Sequence, residues 1–99
     1  MAGLASALGA VLLVAAPQTD SEKARAVLTV RGCKSCHDSA VSTEHPQALA
    51  VFDLREADWS ARMSTGQLRK LLTRLRSAPA ADREVVSRFI ETESRRRAR

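Results

Sequence analysis

A chain of 99 residues is long enough for one domain and excludes a multidomain enzyme. The formal charge is +5, but Arg95, Arg96, Arg97 and Arg99 cluster four positive charges at one end, while residues 21 to 94 hold 12 basic against 10 acidic side chains. Only Phe52, Trp59 and Phe89 are aromatic, so a core made of protein alone is small, and a domain of about 80 residues usually needs a staple or a cofactor.

Residues 1 to 16, MAGLASALGAVLLVAA, are apolar and small, and Asp20 is the first charged side chain. The run is shorter than the roughly 20 residues of a membrane span. It reads as a signal peptide ending in the small residues Val14-Ala15-Ala16, or as an N-terminal anchor, although no Lys or Arg precedes it. The expected location is therefore exported, either periplasmic or anchored facing the periplasm through the N-terminal segment. Export argues against a nucleic-acid partner.

Residues 17 to 20 read as a linker. A helix is expected from Ser21 as its cap, with Ala24, Val27 and Leu28 on one face and Gly32 as its stop. Residues 38 to 62 lack a sustained period; Asp38, Ser39, Ser42 and Pro46 favour turns, and residues 48 to 54 suit a helical turn or two. Ser64 and Gln67 have the spacing of a capping box, and Leu68, Leu71, Leu72 and Leu75 then follow at helical spacing. The opposite face carries Arg69, Lys70, Arg74 and Arg76, a candidate docking surface for an acidic partner. Pro79 ends that helix or opens the next, which is expected over 81 to 94 with Val85, Val86, Phe89 and Ile90 inward. Residues 95 to 99 read as a basic, solvated tail. With no strand pattern, the fold class is all-α.

The chemistry sits in Cys33-Lys34-Ser35-Cys36-His37, a C-x-x-C-H motif and the attachment signature of haem c. Two intervening residues let both thiols reach the vinyl groups on one porphyrin edge, and the next residue turns its imidazole under the iron as proximal ligand. A disulfide across so short a loop would restrain the chain little. Zinc is the sharper rival, since Cys33, Cys36, His37 and His45 nominally supply four ligands, but Cys36 and His37 are adjacent, which strains a shared tetrahedron. A reactive dithiol needs a strand–helix setting that is missing.

The sequence resembles the small single-haem members of the cytochrome c superfamily over roughly residues 21 to 94. The resemblance rests on Cys33-Lys34-Ser35-Cys36-His37, the helix ending at Gly32, Met63 before a helix, and a last helix carrying Phe89. It implies an all-α domain wrapped around one covalent haem, terminal helices that pack through Val27, Leu28, Phe89 and Ile90, and single-electron transfer between redox proteins.

For the second axial ligand, Met63 is the first candidate, because a thioether favours Fe(II) and raises the potential. His45, or no protein ligand at all, are the alternatives; an open position would make the chain a haem sensor or ligand-binding module. Phe52 and Trp59 are expected to wall the haem, Trp59 also offering its N–H to a propionate, and Arg55 and Arg62 to pair with propionates. No carboxylate pair, nucleophile–base pair or phosphate loop suggests an enzyme active site.

Overall fold

Thr19, not Ser21, starts the first helix. Its hydroxyl accepts from the Glu22 amide at 3.1 Å while the Glu22 carboxylate accepts from the Thr19 amide at 3.0 Å, a reciprocal capping box. Ser21 lies inside helix α1 (Asp20–Val30) because only Thr19 has a Glu three residues on. The structure is a computed structural model and describes residues 18–99; the expected signal or anchor segment, residues 1 to 16, lies outside the described residues.

After α1 come a single turn, α2 (Lys34–His37), and a short helix, α3 (Pro46–Val51), opened by a proline at its first position. Helix α4 (Thr65–Arg74) is capped as its spacing predicts. Ser64 accepts from the Gln67 amide at 3.0 Å, and the Gln67 side chain accepts from the Ser64 amide at 2.8 Å. Leu75 is the residue that closes α4 and is buried with Leu68 and Leu71, as the helical spacing predicts. The last helix, α5 (Ala80–Arg97), begins after Pro79 and continues through Arg97. The expected solvated tail is thus largely a helical turn. Among the described residues there is no strand, and the fold is all-α.

The main packing is α1 against α5, with α4 against α5 second. Ala24 and Leu28, one helical turn apart, meet a core that includes Val86, Phe89 and Ile90 of α5, with Val27 packed against it. Leu68, Leu71 and Leu75 bring the α4 side into the same cluster. Trp59, 1% exposed, ties the irregular segment to both long helices. Its indole N–H donates to the Ser21 carbonyl at 3.2 Å and hydroxyl at 3.1 Å, and its ring lies 5.1 Å from that of Phe89. Among the described residues no helix is long and apolar enough to cross a membrane.

Because the Ser64 box satisfies donors at both its ends, Ser64→Ala is expected to cost about 1 kcal/mol, the usual loss for an N-cap oxygen. Urea unfolding of the two proteins measures it, and an unchanged midpoint would show that α4 is held by packing alone.

Candidate functional site

The site begins where α1 stops. The Cys33 amide donates to the Leu28 carbonyl at 3.0 Å and the Gly32 amide to the Thr29 carbonyl at 3.3 Å, the paired bonds of a Schellman ending. That ending needs a left-handed residue, and Gly32 supplies it with φ +89°. The chain is thereby reversed directly into Cys33.

From Cys33 the backbone makes one helical turn, closed by the His37 amide donating to the Cys33 carbonyl at 3.0 Å. Cys33, Cys36 and His37 are then at i, i+3 and i+4, which places them on one face of that turn. Both thiols are free and partly buried. Burial pushes the Cys33 thiol above the ordinary cysteine range. A reactive dithiol needs the opposite, a stabilised thiolate.

Residues 52–54 are stitched to residues 37–39 by three bonds. The Leu54 amide donates to the His37 carbonyl at 2.6 Å, the Ser39 amide donates to the Asp53 carboxylate at 3.1 Å, and His37 Nδ1 lies 3.1 Å from the Phe52 carbonyl. A carbonyl can only accept, so Nδ1 carries a proton, and in the neutral ring the lone pair is therefore on Nε2. The Phe52 ring stacks on the imidazole at 3.7 Å and 5°. Burial works against the Asp53 charge, but the Arg55 and Ser39 amides hold its carboxyl below the usual range. The imidazole is therefore fixed in tautomer and orientation by backbone rather than by a mobile side chain.

An open cleft of about 450 Å³ collects these groups. Cys33, Cys36, His37 and Met63 line it together, with Leu28, Val51, Phe52 and Leu71 as apolar wall and Lys70 and Arg74 as its cations. Its size lies in the range of small-molecule and cofactor sites, roughly 300–1,000 Å³. Met63 is 3% exposed and belongs both to the buried core and to the lining of this cleft.

The other expected residues lie elsewhere. His45 is exposed ahead of α3 and does not line the cleft. Trp59 directs its N–H to Ser21 and reaches the site only through the Phe52 ring edge, 5.7 Å away. Arg55 is exposed. Arg62 pairs with Glu56 at 2.9 Å and donates to the Leu49 and Ala50 carbonyls, so it covers the end of α3. Lys70 and Arg74, expected only on a docking face, are the cations that the cleft does contain. Their spacing with Gln67 and Leu71 along α4 is the sequence signal for that shared face.

Behind Met63 stands α5. Arg97 donates to the Met63 and Ser60 carbonyls, and Glu93 lies beside it with an Arg97 Nε to Glu93 oxygen distance of 3.6 Å. The hydrogen bond from Arg96 holds the Glu93 carboxyl below the usual glutamate range; burial opposes this, and the nearby charges of Arg96 and Arg97 add to it. Among the described residues no group of three or more His, Cys, Asp or Glu side chains is gathered in the geometry of a single metal site.

Comparison with protein-family models, with curated proteins and with solved structures finds no match to this chain.

The depressed Glu93 carboxyl stabilises the fold above the unfolded glutamate value, about 4.3, and that contribution disappears as pH falls through the lower folded value. Glu93→Gln is therefore expected to be less stable than the parent at pH 7, with the gap closing below about pH 4. Urea unfolding at pH 7 and pH 3 tests this; a gap of equal size at both values would rule out the ionised pair as its cause.

Proposed function

We propose that this chain is a small c-type cytochrome that carries single electrons between redox partners outside the cytoplasm. One observation carries the reading: two thiols, an imidazole with a free Nε2 and a buried thioether line a single apolar cleft. Donor chemistry, spacing and wall all suit a covalent haem. Cys33 and Cys36 would hold it through thioether bonds, His37 would ligate the iron through Nε2, and Met63 would supply the second ligand. When bound, the haem supplies reversible one-electron chemistry at iron.

The chain's own residues set the terms of that chemistry. The Phe52 carbonyl retains the proton on Nδ1 and fixes the orientation of the His37 ring. Leu28, Phe52 and Leu71 give one side of the site an apolar wall. Lys70 and Arg74, the cations that line the cleft, would pair with the carboxylates of a haem, a role that the sequence alone suggests for Arg55 and Arg62. With Arg69 and Arg76 exposed along or just beyond α4, the same surface suits a transient acidic partner whose association weakens with salt.

Expression with export-side haem-attachment machinery and intact mass in acid tests the attachment. The expected product is heavier by one haem that acid does not release; Cys36→Ala and His37→Ala should each reduce the yield of that product sharply. A colourless mature protein with two alkylatable thiols would defeat the reading.

In the loaded protein, Met63→Ala is expected to lower the reduction potential and open the ferrous iron to carbon monoxide. The same change empties a buried site, for which about 2–5 kcal/mol of stability is lost in comparable substitutions. Tight carbon monoxide binding by the unaltered ferrous protein would instead favour a sensor or ligand-binding module.

A further inference from the structure

We propose that Arg97 is a positioning residue for Met63: its guanidinium, reaching from the last turn of α5, clamps the Ser60–Met63 turn and so keeps the thioether in the cleft. Its consequence at iron rests on the haem reading above; its geometry rests on the fold alone.

The turn is closed by the Met63 amide donating to the Ser60 carbonyl at 3.0 Å. That single bond leaves the Met63 carbonyl to Arg97, whose second terminal nitrogen donates to the Ser60 carbonyl at 3.0 Å. A planar guanidinium delivers two N–H groups in a fixed fork, so it sets the separation of the two carbonyls and not merely their electrostatic environment. The arginine side chain is only 22% exposed, and buried Glu93 on the preceding turn stands 3.6 Å from its Nε. Immediately after Met63 the Ser64 capping box fixes the start of α4. Met63 is thus held between two anchored points.

The neighbouring arginines give the contrast. Arg95 and Arg96 are 70% and 64% exposed, and their carboxylate partners, Glu91 and Glu93, belong to the same helix. Of these three consecutive arginines, Arg97 is the one bonded to the segment that carries Met63.

The experiment compares Arg97→Ala, Arg97→Lys and Arg96→Ala in the haem-loaded full chain. It measures amide hydrogen exchange at Met63 and carbon monoxide affinity of the ferrous form. Arg97→Ala is expected to raise both about tenfold, the effect of losing a charge-assisted hydrogen bond. Arg97→Lys keeps the charge but not the fork and should fall between it and the parent. Arg96→Ala, which removes the same charge one residue away, should change neither.

Exchange and affinity at parental values in Arg97→Lys and Arg97→Ala would overturn the proposal, as would equal effects from Arg96→Ala. If Arg97→Ala does not fold, Arg97→Lys against Arg96→Ala still decides it. Parental carbon monoxide affinity in Met63→Ala would remove Met63 as ligand but leave the clamp to be judged by exchange at the Met63 amide.

Discussion

Everything at the site depends on one helical turn being hung from the end of α1 at a fixed angle. The two Schellman bonds and the positive φ of Gly32 set that angle, and the Cys33–His37 bond closes the turn. Without this Cys33, Cys36 and His37 would still be close in sequence but would have no common face. A Cβ at position 32 would meet no neighbouring atom within 4 Å, so the constraint there is conformational and not steric crowding. It resides in backbone torsion, where α1 hands its direction to the motif.

The imidazole is held by a different kind of restraint. Backbone groups of residues 52 and 54 pair with His37, and the Phe52 ring lies flat against it. Phe52 in turn meets Trp59 edge-on, and Trp59 reaches Phe89 of α5 and Ser21 of α1. A sequence with few aromatics uses all three in one continuous stack. The pairing of the two long helices is thereby coupled mechanically to the orientation of a ring in an otherwise irregular segment. Small cores gain most from such double use, because each buried aromatic serves packing and positioning together.

Local features were legible in the residues themselves. The S-x-x-Q spacing announces α4, and C-x-x-C-H announces the cluster of thiols and imidazole. The start of α1 was legible too, in the T-x-x-E of Thr19 and Glu22, but Ser21 competes as a cap when only residue type is weighed. What spacing does not reveal is partner choice across long separations. Trp59 bonds a residue 38 positions away, Arg97 bonds residues 34 and 37 positions away, and Arg62 turns back to α3. Nothing in the local pattern distinguishes those polar atoms from ones that meet solvent or a ligand. The all-α class follows from periodicity, whereas the cations at the cleft follow from how α4 is rotated against its neighbours.

The dominance of the α1–α5 pairing has a bearing on assembly. The partners of Leu28 on α5 lie far along the chain, so the long loop between them must close before the core gains its main contacts. A nascent polypeptide presents the cysteine–histidine turn well before α5 emerges. During that interval Cys33 and Cys36 lie on a segment that lacks its packing against α5. Once the helices join, both thiols are partly enclosed, so their exposure is governed by when the core closes.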